Sequence, residues 1–176
     1  AGLHDIWMIA EHGAIFQKGI NLPPKTYFNS PVRENVLRVI GIIKREIDDL
    51  CGEDVWYQPN EVNMTVYPRS EDSLEKIRDL MKKTPRWLSR VTVYENEDHV
   101  DFIPKEINLK NALTYFTKIT GYQASDMIAI GDSADGLDMI NYCEKSIVIG
   151  NNLDISGDYK FDTIGEALDM LLKEKI

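Results

Sequence analysis

Cysteine is scarce in this chain: there are two, Cys51 and Cys143, far apart and in no CxxC or Cys/His cluster. That excludes a disulfide scaffold and a structural zinc site, and a reduced, cytoplasmic protein is expected. The three histidines, His4, His12 and His99, have no partners at metal-ligand spacing. A basic block is missing as well. Lysine and arginine total 20 against 29 acidic residues, a formal net charge of −9, so binding of nucleic acid or anionic lipid through phosphate contacts is not expected. No apolar run approaches the ~18 residues that span a bilayer, and no signal-peptide pattern opens the chain. Repeats, low-complexity stretches and long linkers are absent too. What remains is ordinary globular composition, 43% apolar and 28% charged in 176 residues, enough for one medium domain or two small ones with a true core.

The pattern along the chain has two characters. Ile6-Trp7-Met8-Ile9-Ala10 and Ala14-Ile15-Phe16 are short apolar runs around Glu11-His12-Gly13 and read as buried strands. Asn21-Leu22-Pro23-Pro24 is a break. Ser30-Pro31 opens a helix, and Val36, Leu37, Val39, Ile40, Ile43, Ile47 and Leu50 recur at helical spacing until Cys51-Gly52. Strands over 55–58 and 62–67 form a hairpin. A helix over 70–83 turns Leu74, Ile77, Leu80 and Met81 inward. A second hairpin pairs 91–95 with 100–103. This α-β-β-α-β-β stretch predicts a sheet with two helices on one side. The last third alternates differently: a helix from Asn108 to Thr120, a strand at 127–130, a helix over 134–142, a strand at 146–149 and a helix over 163–173 with Ile164, Ala167, Leu168, Leu171 and Leu172 inward. That alternation predicts a parallel sheet with right-handed crossovers. The expected fold is therefore α/β, a partial Rossmann-like core at residues 1–22 and 102–176 with an α+β unit inserted at 23–101.

The stretch richest in chemistry is Ile130-Gly131-Asp132-Ser133-Ala134-Asp135-Gly136-Leu137-Asp138-Met139. In open α/β sheets ligands sit at the C-terminal ends of strands, where Asp132 falls. A carboxylate there, with Asp135 or Asp138 as a second, can hold Mg²⁺ while the metal keeps waters and a substrate phosphate. The alternative is a capping role for Asp132 or Ser133 at the following helix, with Asp135 favouring its dipole. His12 could face a cleft, or simply form a turn with Gly13. Arg69, after a strand and beside Pro68, could bind an anion or be a solvated loop residue. Trp56, Tyr57 and Trp87 could stack on sugars or fill a small core.

Three segments together resemble one family. Ile128-Ala129-Ile130-Gly131-Asp132-Ser133 with Met139 resembles the fourth motif, GDSxNDxxM, of the haloacid dehalogenase phosphatases. Ile9-Ala10-Glu11-His12-Gly13-Ala14-Ile15 resembles the segment that precedes the cap in the trehalose-phosphate, sucrose-phosphate and phosphoglycolate branch. Phe102-Ile103-Pro104-Lys105 with Asn108, Lys110, Ala112 and Leu113 resembles the return from cap to core, which carries the third-motif lysine. The resemblance covers essentially the whole chain in the family's order. It implies an HAD core with a C2-type cap, Mg²⁺, and small phosphorylated metabolites as substrates, with Asp132 at the metal and Lys110 toward phosphate; Asp135 and Asp138 as further metal carboxylates, and His12 and Arg69 toward phosphate or substrate, are candidates from their positions.

The departures are specific. The family attacks phosphorus with an aspartate in a DxDx(T/V) motif, and no such motif occurs in these 176 residues, so no catalytic nucleophile is assigned and this chain alone is expected to be inactive. Gly136 stands where the fourth motif has its second aspartate. Aligning Ala112-Leu113 with the third motif puts the lysine position on Leu109, and Lys110 is rotated by about 100° on a helix. Two functions follow. One is a Mg²⁺-dependent phosphatase whose first strands come from elsewhere. The other is a non-catalytic relative, a pseudoenzyme that binds or regulates. An incomplete parallel sheet exposes strand edges and apolar surface, which predicts a homodimer or a partner chain that completes the core.

Overall fold

The computed structural model describes residues 6–28, 30–83, 89–132, 136–150 and 156–174. They form two compact units, Ala1–Asn108 and Leu109–Ile176. Compactness thus divides the chain at 108/109, past the expected return point at 101/102, and groups the first hairpin with the middle of the chain. Trp87 and the expected start of a helix at Ala134 lie outside the described residues, as does His4.

The first unit opens with β1 (Trp7–Ala10) and β2 (Ile15–Lys18), paired antiparallel with Trp7 opposite Lys18 and Ala10 opposite Ile15. A two-residue strand, β3 (Lys25–Thr26), adds to β2. The pairing follows from the connection: four residues can reverse a chain, whereas a parallel pair needs a crossover of a dozen or more. The expectation of a fully buried first strand is corrected here. β1 lies at the edge of its sheet, and its residues alternate between half-buried and exposed, as a strand covered on one face does.

Next comes α1 (Ser30–Cys51). Val36, Val39, Ile40, Ile43 and Ile47 are its buried stripe, at the three- and four-residue spacing of one helical face. Gly52, at φ +57°, supplies the left-handed residue that ends it. Then follow β4 (Val55–Tyr57), β5 (Met64–Pro68), α2 (Glu71–Lys83), β6 (Val91–Glu95) and β7 (Val100–Pro104). The four strands form an antiparallel sheet in the order β4-β5-β7-β6. Val55, Met64, Val66, Val91, Val100 and Phe102 pack with Val39, Ile40, Ile43 and Ile47 of α1 and Ile77 of α2 in the main apolar cluster. Strand alternation sends Trp56, Thr65, Tyr67 and Asp101 to the opposite face. A second cluster joins Ala14, Ile15, Val36, Val62, Ile103 and Ile107. The first turn of α2 is secured by Asp54, whose carboxylate accepts from the Ser70 hydroxyl and, at 2.8 Å, from Ser73 Oγ.

The second unit contains α3 (Leu109–Thr120), β8 (Ile128–Gly131), α4 (Leu137–Tyr142), β9 (Lys145–Ile149), β10 (Tyr159–Phe161) and α5 (Ile164–Glu174). Its sheet is parallel throughout, in the order β10-β9-β8. Asp158 ties β9 to the approach of β10: its Oδ2 accepts from Ser146 N at 2.8 Å and Ser146 Oγ at 2.9 Å. The inward face expected for α5 is largely turned out. Ala167 is buried and Leu171 half-buried, but Ile164, Leu168 and Leu172 are 58%, 47% and 80% exposed. In α1, Leu37 and Leu50 are likewise exposed, because an apolar arc on a helix can be wider than the arc its neighbours cover. No helix among the described residues is long and apolar enough to cross a membrane.

Two outcomes check this packing. Phe102→Ala, which empties the centre of the main cluster, should lower the urea-unfolding free energy by about 3–5 kcal/mol. Leu37→Ala, on the outer side of α1, should cost less than about 1 kcal/mol. On acidification, the Ser146 hydroxyl and backbone hold the Asp158 carboxyl below its ordinary 3.8. A depressed carboxylate contributes stability above that value and loses it as pH falls below. Asp158→Asn should therefore lessen the steepness of acid unfolding below pH 3.8, followed by circular dichroism.

Candidate functional site

In the second unit, β8 delivers Asp132 to the C-terminal edge of the parallel sheet with its side chain exposed. Two glycines shape the junction with α4. A β-carbon on Gly131 would meet Ile140 Cδ1 at 3.3 Å, and one on Gly136 would sit 3.7 Å from the Gly131 Cα. The strand end and the helix start therefore approach backbone to backbone. Asp138 is exposed in the first turn of α4. Asp135 lies outside the described residues. Asp132 and Asp138 thus flank one junction, and a hard cation that keeps several waters needs one or two such carboxylates. No group of three or more metal-capable side chains occurs among the described residues. Asp132 and Asp138 are carboxylates of the kind that could hold a hard cation which keeps most of its waters.

Lys110 is the second residue of α3 and is exposed; its carbonyl accepts from Thr114 Oγ1 at 2.9 Å. Leu109, one residue earlier, is half-buried.

The other two expected residues belong to the first unit. The His12 ring lies parallel to Tyr94, at 6.0 Å between centroids and 4° between planes. Arg69 lines an open cleft of about 360 Å³ with Pro68, Ser70, Glu71, Leu74, Glu97 and Asp98. Its backbone N–H is fixed by the Asp54 carbonyl at 2.9 Å. Three carboxylates share that cleft with one guanidinium, so its field does not favour an anion strongly.

Two groups in this unit were not expected from the sequence, although one of their members, Trp56, was a candidate. On the sheet face away from the helices, Thr65 Oγ1 donates to Asp101 Oδ1 at 2.5 Å, and Asn60 Nδ2 donates to Thr65 Oγ1 at 3.2 Å. His99 sits between two carboxylates, its Nδ1 2.6 Å from Asp98 and its Nε2 3.4 Å from Asp101. The hydrogen bond from His99 holds the Asp98 carboxyl below its usual range. Trp56, Tyr67 and His99 form an aromatic row, with centroid spacings of 5.0 and 5.1 Å. The second group is Glu11, whose carboxylate receives three backbone N–H groups of residues 61–63. Alternation places the sheet-face residues together once the register is known, but hydrogen bonds between residues some 50 apart in sequence leave no periodic trace. The thiols of Cys51 and Cys143 are free, and burial pushes both pKa values up.

The family model of haloacid dehalogenase-like hydrolases matches residues 44–155. The chain belongs to this family. Solved structures share its fold at low identity. A trehalose-6-phosphate phosphatase related protein is 17% identical, with a TM-score of 0.63 over 98% of this chain and 75% of that one. The C-terminal domain of the C. albicans trehalose-6-phosphate phosphatase is 15% identical, with a TM-score of 0.64 over 95% and 69%. TM0651 from Thermotoga maritima is 14% identical, with a TM-score of 0.65 over 94% and 73%. No curated protein matches the sequence. The matched residues include Gly131, Asp132, Gly136 and Met139.

The junction geometry makes a prediction. Gly131→Ala presses on Ile140 and should destabilise by about 1–3 kcal/mol. Gly136→Asp meets only an ordinary contact at a φ of −77° and should stay within about 1 kcal/mol of the parent. Differential scanning calorimetry on the two variants gives the comparison; equal losses would mean the two glycines are not in the described packing.

Proposed function

We propose that this chain carries the cap and the metal-binding part of a Mg²⁺-dependent phosphatase for small phosphorylated metabolites, a sugar phosphate or phosphoglycolate. The observation that carries the reading is Asp132, exposed at the end of β8 in the family's fourth motif. Residues 23–101 serve as the α+β cap, and 1–22 with 102–176 as the core. Asp132 binds the metal, with Asp135 or Asp138 as the second carboxylate in place of the one Gly136 lacks. Lys110 provides positive charge toward phosphate; Arg69, among the three carboxylates of its own cleft, and His12 are candidate contacts for the rest of the substrate. When bound, Mg²⁺ neutralises phosphate charge and so lowers the repulsion felt by an attacking carboxylate. These 176 residues contain no DxDx(T/V) motif, so that carboxylate is supplied by further residues of a longer polypeptide or by a partner chain. The trehalose-6-phosphate phosphatases among the fold relatives support the substrate class by analogy of fold.

A second reading, a non-catalytic binding or regulatory relative, is favoured by one observation. Ile164, Leu168 and Leu172 recur every four residues and share an exposed side of α5, surface that a second copy or a partner chain completing the core would cover.

The decisive measurement is the mass and activity of the polypeptide in its source cells. The phosphatase reading expects a product larger than 20.2 kDa that hydrolyses phosphate monoesters only with Mg²⁺. Asp132→Asn should cut its kcat by at least about 10–100-fold, the loss that removing even an outer-shell partner of a metal causes. A product of 20.2 kDa without turnover, associating with itself or a second protein, would establish the other reading.

A further inference from the structure

At the end of β1 three consecutive residues take left-handed backbone: Glu11 at φ 52°, His12 at φ 54° and Gly13 at φ 101°. Glycine adopts this region freely, but residues with a β-carbon do so at a cost and persist there only when the surroundings over-determine them. The Glu11 side chain shows what fixes it. Its Oε1 accepts from the Glu61 N–H at 2.7 Å, and its Oε2 accepts from the N–H groups of Val62 at 2.8 Å and Asn63 at 3.0 Å. The donors are consecutive and lie in the connection between β4 and β5, outside both strands. Val62 and Asn63 are buried, and a buried backbone N–H must be paired. Here a carboxylate pairs it where a neighbouring strand would ordinarily do so. Consecutive N–H groups converging on one point form a concave patch of positive partial charge, a setting that binds oxyanions, and hydrogen bonds to an ionised acceptor are the short, strong ones.

We propose that residues 61–63 form an oxyanion-binding nest and that Glu11 is its built-in ligand. Glu11 is then a positioning residue whose charge, and not its bulk, holds the 61–63 loop. Bulk is supplied separately, by Ala14 and Ile15 against Val62, Ile103 and Ile107. The ligand class is a small carboxylate, the chemistry of the resident group. Glutamine has the shape of glutamate but one carbonyl oxygen, and its amide would turn a donor toward donors. This inference is independent of the phosphatase reading, since every residue in it lies in the first unit and no turnover is needed to test it.

The experiment is backbone amide exchange and chemical-shift mapping of the ¹⁵N-labelled chain as the parent, Glu11→Gln and Glu11→Ala, each titrated with sodium acetate against sodium chloride at equal ionic strength. In the parent, the amides of Val62 and Asn63 should be protected and indifferent to acetate. In Glu11→Gln and Glu11→Ala their exchange should quicken by at least about tenfold, while the β6–β7 amides keep parental protection. In Glu11→Ala, acetate and not chloride should restore protection saturably. Parental protection in Glu11→Gln would overturn the proposal, because shape alone would then hold the loop. So would an Ala variant that responds no better to acetate than to chloride. If neither variant folds, acetate-dependent refolding of Glu11→Ala supports the nest and its failure sinks it.

Discussion

The apolar stripe of α1 is the interaction on which the first unit depends. Val39, Ile40, Ile43 and Ile47 form one wall of the main cluster, and Val36, one turn earlier, enters the second cluster beside Ala14 and Ile15. A single 22-residue helix, about 33 Å long, therefore backs the four-stranded sheet and also reaches the first hairpin. Each fully buried valine or isoleucine contributes about 1.5–3 kcal/mol, so the contacts of one helix outweigh any single polar bond in the unit. The Glu11 carboxylate adds direction to what the stripe supplies in strength. Apolar burial is indifferent to a small slide, whereas three N–H donors on two oxygens are not.

In the second unit the governing constraint is the meeting of β8 and α4. A parallel strand carries its outgoing end to the edge where ligands gather, and Gly131 and Gly136 lie close together there. The same glycine that permits this approach leaves position 136 without a carboxylate. Family membership rests on the matched residues 44–155; chemistry would rest on which side chains stand at that edge.

Much of the architecture was legible in the sequence. The helices at 30–51, 71–83 and 109–120 and the two hairpins of the four-stranded sheet announced themselves through long periodic runs closed by glycine, as at Gly52 and Gly121. β3 and β10 did not, because two or three residues such as Lys25-Thr26 cannot establish a period; they are strands through their partners. Periodicity also overstated burial. Leu37, Leu50, Ile164, Leu168 and Leu172 fit a helical stripe yet face outward, since sequence shows which side of a helix is apolar but not how much of it is covered. The position of Asp132 was readable from the strand-glycine-aspartate order. Glu11 was not, because its partners are 50–52 residues away and are backbone groups, which carry no residue identity.

The strand order β4-β5-β7-β6 has a consequence for how the molecule is made. β6 and β7 are joined by a short turn and can pair as soon as both exist, on the microsecond scale of hairpins. The central pair is different. Thr65 on β5 meets Asp101 on β7, 36 positions later, so α2 and β6 must be looped out before the sheet can close. Closure of that long loop carries an entropy cost that local turns avoid. During synthesis, α1 and β4–β5 would emerge with their apolar faces uncovered until β7 leaves the ribosome. The interval in which this chain is most exposed to misassociation is thus set by strand order.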